Sequence, residues 1–250
     1  MTNKMKKYAI IGDIHGELEL LQKLLEKILK MGYEPVFVGD LQDRGKKSKE
    51  VIKLIRQNNY KMVLGNHDDM MIRMYDYIKK YVENENNIYV KQMIQNWFNQ
   101  RNGFFQTVVS YGFGGIEKNE KGFEKMFFHI ESEGFKLFEE DVKWLKTKPY
   151  YLKLEGTKAN GREIIVSHSY ISDVWGDIEN IEKKEYITDT IIWGRGTPKD
   201  IPGIYNVFGH TPVFLTPEIK EHYANVDTGC GKNGNGVLSA LLIPELEYIN

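Results

Sequence analysis

Three short apolar runs, each closed by a glycine and a polar residue of metal-ligand type, recur at nearly even intervals: "KYAIIGDIHG", "PVFVGDLQDRG" and "MVLGNHDD". Asp13 and Asp40 are 27 residues apart and Asp40 and Asn66 are 26, the length of one strand, one crossover helix and one loop. Between the first two runs Leu21, Leu24, Leu25, Ile28 and Leu29 repeat at the spacing of one helix face. Val51, Leu54 and Ile55 begin the same repeat between the second and third. The pattern predicts βαβαβ with parallel strands. Ligands of such sheets gather at the carboxyl ends of the strands, where loops converge and backbone amides are free. Three separate loops should therefore meet in one crevice.

Downstream, Met70, Met74, Tyr77, Ile78 and Tyr81 keep helical spacing until "ENENN" interrupts them. The spacing predicts a mainly helical insert over about 69–150 between the two sheet-forming parts of the chain, placed to act as a lid, with "WFNQRNGFFQTVVSYG" as a loop and turn in its middle. Its Met and Tyr residues read as packing onto the core rather than as a cofactor or partner surface. After Tyr150, "REIIVSH", "YNVFGHTP", "HYANVDTG" and "GVLSALLIPE" read as strands bounded by Gly, Pro and Asn. The glycine-rich "TGCGKNGNG" has neither P-loop nor dinucleotide spacing, and its Asn-Gly predicts a hairpin turn joining the last two strands, away from substrate.

The 250 residues are expected to form one domain, since α/β sheets of this length commonly do. A net charge of -1 gives no electrostatic footprint for nucleic acid or an anionic membrane, so any phosphate must be held by local chemistry. The single cysteine, Cys230, excludes an intrachain disulfide and suits a reducing compartment. The apolar run Tyr8 to Ile11 is too short for a signal-peptide core or a membrane span, which makes the cytoplasm the expected location.

Asp13, His15, Asp40, Asn66, His168 and His210 each sit at or just past a predicted strand end. In extended backbone Asp13 and His15, two apart, would leave the same face. Six such ligands are too many for one ion. Mixed N and O ligation suits Mn, Fe, Zn or Ni better than Ca or Mg, and a carboxylate bridging two ions about 3.5 to 4 Å apart is the arrangement expected for displacement at phosphorus. These residues predict a dinuclear centre of two divalent ions, Mn2+ being the first choice.

"GDIHG", "GDLQDRG" and "GNHD", followed by single histidines in "SHS" and "GHTP", resemble the calcineurin-like metallophosphoesterases, and within them the phosphoprotein phosphatase branch. "RNGFFQTVVSYG", "WGRG" and "VDTGC" look like the bacterial and bacteriophage serine/threonine phosphatases and their relatives, the symmetrical diadenosine tetraphosphate hydrolases. The resemblance spans nearly the whole chain. It implies a four-layer α/β fold, two packed mixed sheets flanked by helices, with one metal held by Asp13, His15 and Asp40 and a second by Asp40, Asn66, His168 and His210. It also implies hydrolysis of phosphomonoesters by a hydroxide shared between the ions, with His67 as general acid. An imidazole, with an ordinary pKa of about 6.5, can protonate a departing alkoxide near neutral pH. By the same resemblance Asp43 orients His67, while Arg44 and Arg195 grip phosphate oxygens, for which the planar guanidinium fork is suited.

The substrate class this implies is phosphoserine and phosphothreonine in proteins, with symmetrical hydrolysis of diadenosine tetraphosphate as the alternative; no nucleic-acid or membrane partner is expected. Pro212 stands where the wider phosphodiesterases and nucleases of the superfamily carry another histidine, which argues for the monoesterase branch. "LQD" replaces the usual tyrosine and valine before the aspartate and should alter loop packing there. A non-catalytic scaffold should have lost a ligand or the acid, and none is missing. Asp68, where this branch more often has glutamate, is read as structural. His129, on a segment read as helical, His222 and Cys230 are read as spectators, Gly12, Gly39, Gly65 and Gly209 as tight turns, and Lys46, Lys47 and Lys49 as a solvated helix start.

Overall fold

The computed structural model describes residues 5–99, 101–118, 120, 122, 124–232 and 236–250. Strands β1 (Tyr8–Ile11), β2 (Glu34–Phe37) and β3 (Lys61–Met62) run parallel and are joined by α1 (Leu18–Lys30) and α2 (Ser48–Gln57), the βαβαβ unit that the spacing predicts. Leu18, Leu21, Leu24, Leu25 and Ile28 form the buried face of α1, whereas Leu29, expected on that face, is half exposed. The insert follows as α3 (Asn66–Glu83), α4 (Ile88–Phe98), α5 (Phe104–Tyr111), a hairpin of β4 (Gly114–Lys118) and β5 (Glu124–Phe128), and α6 (Glu133–Leu145). The chain then forms β6 (Tyr151–Ala159), β7 (Arg162–Ser167), α7 (Lys184–Trp193), β8 (Ile204–Phe208), β9 (Glu218–Ile219), β10 (Tyr223–Asn225), β11 (Ala240–Ile243) and β12 (Glu247–Ile249).

These strands build two mixed five-stranded sheets, ordered β12-β11-β1-β2-β3 and β6-β7-β8-β10-β9. Along β1 the side chains alternate: Tyr8 and Ile10 face the second sheet, where they join Val36, Ile164, Val166 and Val207, while Ala9 and Ile11 face the helices. Both faces are covered, which is why these strands read as unbroken apolar runs. The helices α1 to α6 pack on the outer face of the first sheet and α7 packs on Ile165 and Ile204 of the second, giving four layers of the α/β fold expected. No helix among the described residues is long and apolar enough to cross a membrane.

Three local expectations are corrected. "FFQTVVSY" is not a loop: Phe104, Thr107, Val108 and Tyr111 are buried at helical spacing in α5, and the flanking Gly103 and Gly112, at φ 83° and 72°, start and stop that helix. His129 follows strand β5 rather than lying on a helix, and is exposed at the surface. The segment "TGCGKNGNG" does not close a hairpin, because β10 belongs to the second sheet and β11 to the first. Its Asn-Gly at 233–234 lies outside the described residues. A hairpin there would have left one sheet short of a buried strand, and burial of Ala240 to Ile243 beside β1 outweighs the local turn preference.

Candidate metal centre

The ends of β1, β2, β3, β7 and β8 converge, and each delivers part of one buried cluster. Asp13, His15, Asp40, Asn66, His67, His168 and His210 are each less than 5% exposed. The convergence does not come from extended backbone, the conformation expected for the Asp13 and His15 pair. His15, Asp40, Asp43, Arg44 and His210 all have positive φ, between 49° and 73°. Each such non-glycine residue costs on the order of 1 kcal/mol or more, so packing must hold these loops in place. Gly65 and Gly209 help by closeness rather than by turn geometry. Gly65 has an ordinary φ of -94°, and a Cβ on it would collide with Asp40 Oδ1, as one on Gly209 would with Asp13 Oδ1. Of the four glycines read as turns, only Gly39 is left-handed.

Asp40 stands at the middle. Its Oδ1 lies 3.4 Å from His168 Nε2, and its Oδ2 lies 3.6 Å from His15 Nε2, so its two oxygens face different partners. Asn66 opens α3, and its amide oxygen lies 2.9 Å from both His168 Nε2 and His210 Nδ1. Asp13 Oδ2 is 3.9 Å from His15 Nε2. Asp68 supports the arrangement from behind: it accepts the amides of Asp40 and Gly65 at 2.8 Å, and burial, then the Asp40 charge, push its carboxyl up to about 8.

The donor set fits divalent cations. His15 Nδ1 donates to the Gln42 carbonyl and His168 Nδ1 to that of Val38, which leaves each Nε2 with a bare lone pair turned to Asp40. Burial, the largest cause, lowers the pKa of His15, His168 and His210, so these rings stay neutral as ligands must be. His168 Nε2 and the Asn66 oxygen then face one another as two acceptors, a contact that favours a cation against both. Burial, followed by the carboxylates of Asp227 and Asp40, pushes Asp13 well above its usual range, so the cluster is short of positive charge. Ligand atoms of Asp13, Asp40 and His168 lie within 4.8 Å of one another, as do those of His15, Asp40 and His67.

His67 is the second residue of α3, and one step around the helix turns it from Asn66 toward the open side. Its Nδ1 lies 2.6 Å from Asp43 Oδ2. Its Nε2 meets the Arg44 guanidinium at 3.1 Å, and another nitrogen of Arg44 contacts His15 Nε2.

The family model described as calcineurin-like phosphoesterase matches residues 6–214. The chain belongs to this family. It is therefore a metallophosphoesterase, a metal-binding hydrolase. The asymmetrical bis(5'-nucleosyl)-tetraphosphatase PrpE of Oceanobacillus iheyensis is 28% identical over an alignment of 277 positions, covering 98% of this chain and 91% of that protein. The symmetrical bis(5'-nucleosyl)-tetraphosphatase of Buchnera aphidicola is 47% identical over 73 positions, 28% of this chain and 26% of that one. A crystal structure assigned as a diadenosine tetraphosphatase superposes with a TM-score of 0.59 at 17% identity, covering 100% of this phosphoesterase and 94% of that chain, which shows a shared fold.

The metallophosphoesterase cluster opens into a cleft of about 1140 Å³. Arg44 and Arg195 both line it, and among the described residues neither is paired with a carboxylate. Sequence reasoning gave no site role to Trp97, Trp193, Arg101 and Lys232, which line it too, although Arg101 and Trp193 stand in stretches that carry the resemblance. Trp97 and Arg101 fall in the "WFNQRNG" stretch read as a loop, and Lys232 in the loop expected to lie away from substrate. His129 and His222 stand outside the cluster, and burial pushes the Cys230 thiol up, as suits a packing residue. Lys47 pairs with Glu19 in solvent ahead of α2, as a solvated helix start would.

Proposed function

We propose that this phosphoesterase is a single-domain hydrolase of dinucleoside polyphosphates, cleaving off centre to a nucleoside triphosphate and a monophosphate. The observation that carries this reading is the cleft: four cationic side chains, Arg44, Arg101, Arg195 and Lys232, and the indoles of Trp97 and Trp193 line it together with His67. The Arg44 and Arg195 forks are enough for the single phosphoryl group of a monoester; a chain of phosphates ending in nucleosides also uses the further cations Arg101 and Lys232 and the aromatic faces. The full-length similarity to an asymmetrical bis(5'-nucleosyl)-tetraphosphatase supports the same class.

Asp13, His15, Asp40, Asn66, His168 and His210 would hold a pair of divalent ions, with Asp40 shared, and manganese suits their mixed nitrogen and oxygen donors. When bound, such ions supply Lewis acidity and ionise a water near neutral pH. Arg44, resting on imidazole nitrogens with no carboxylate partner among the described residues, is free to turn to an arriving phosphate, and Arg195 in the same cleft supplies a second fork. His67, held through Nδ1 by Asp43, presents Nε2 to the leaving oxygen and gives it a proton as the P–O bond breaks. Such an acid serves an alkoxide most of all, and this favours phosphoserine and phosphothreonine as the second reading.

Manganese-loaded protein offered diadenosine tetraphosphate and a phosphoserine peptide separately decides between the two. The expected result is kcat/KM at least about tenfold higher for the dinucleotide, a preference of about 1.4 kcal/mol, with ATP and AMP as products. Faster turnover of the peptide, or two ADP from the dinucleotide, would overturn the first reading.

A further inference from the structure

Asp43 is fully buried, and a carboxylate with one imidazole partner would be costly there and free to rotate about a broad torsion. Two neutral donors complete its shell. Trp97 Nε1 donates to Oδ2 at 3.1 Å, on the same oxygen that takes His67 Nδ1, and Thr107 Oγ1 donates to Oδ1 at 2.6 Å. The Asp43 amide in turn donates to Thr107 Oγ1 at 3.1 Å. The Trp97 ring also packs 5.1 Å from the His67 ring. Between the two residues Gly103 is pressed against the chain at Arg44, whose amide donates to its carbonyl at 3.3 Å, so the helical insert is clamped to the loop carrying Asp43 and Arg44.

We infer that Trp97 and Thr107 are positioning residues for the reaction: from α4 and α5 they fix the plane of the Asp43 carboxylate, and thereby aim His67 Nε2 into the cleft. The insert is thus part of the proton-delivery apparatus and not a cover laid over it. Being neutral, both donors hold the carboxylate without competing for the charge that His67 uses. The inference rests on the reading of His67 as the acid.

Thr107→Val removes one donor at nearly constant shape, Trp97→Phe removes the other together with part of the indole's bulk, and Thr107→Ser restores the hydroxyl. With zinc-loaded, 15N-histidine protein, the short Nδ1–H bond of His67 should give a downfield proton resonance, assigned by its loss in His67→Ala. Both donor variants should shift or broaden it and lower kcat on the preferred substrate about tenfold, as expected for one hydrogen bond to a charged group, and Thr107→Val, buried away from the cleft lining, should change KM less than about threefold. Thr107→Ser should recover both signals. An unmoved resonance and wild-type kcat in both variants would overturn the inference. If His67→Ala keeps wild-type turnover, the acid role falls instead, and the resonance alone decides whether Trp97 and Thr107 fix the pair.

Discussion

Replacing Asp40 with asparagine is expected to lower kcat/KM on the order of 10³-fold or more and to reduce bound metal from two ions per chain to one or none. Two observations set this size. Among the described residues Asp40 alone turns one oxygen to His168 and the other to His15, so a single carboxylate serves both halves of the cluster. Stabilisation of charge at a phosphoryl centre by such ions amounts to several kcal/mol, and about 1.4 kcal/mol is tenfold in rate. The asparagine keeps the shape and can still accept the His67 amide that Asp40 Oδ1 takes at 2.9 Å, so the fold should survive. Metal analysis of the gel-filtered protein and steady-state kinetics check the two parts. A variant with full metal and near-normal rates would mean that the cluster is built around some other residue.

His67→Ala should behave differently, and the difference is the point of the experiment. Its ring lies close enough to His15 and Asp40 to be counted as a third ligand, but its Nδ1 is taken by Asp43 and its Nε2 faces the cleft. The variant should therefore keep two metals per chain while kcat falls about 10² to 10⁴-fold at nearly constant KM, the signature of an interaction made in the transition state alone. The loss should be larger for an alkyl phosphate such as phosphoserine than for a phosphoanhydride, whose leaving phosphate needs a proton less. Loss of one metal ion instead would make His67 a ligand.

What the sequence disclosed and what it concealed divide along physical lines. Asp13, Asp40, Asn66, His168 and His210 lie at or beyond strand ends, where the apolar period stops abruptly, and a fold that covers both sheet faces leaves such residues nowhere to go but the shared rim. Their meeting was legible. The backbone that brings them together was not, because positive φ at His15, Asp40 and His210 is imposed by packing rather than by residue type. Trp97, Thr107 and Lys232 escaped for another reason: each is distant in sequence from the groups it meets. Around Thr107 the local glycine and asparagine signals hid a real helix. The Asn-Gly pair near residue 233 likewise spoke for a hairpin, while the burial of β11 in the other sheet decided the path.

All of this depends on one arrangement, a pair of cations flanking the Asp40 carboxylate. Crystals grown with manganese and measured at the manganese absorption edge would show it directly. The account predicts two anomalous peaks about 3.5 to 4 Å apart, one beside Asp13 and His15 and the other beside Asn66, His168 and His210, with Asp40 between them. A single peak, or peaks away from these side chains, would contradict it.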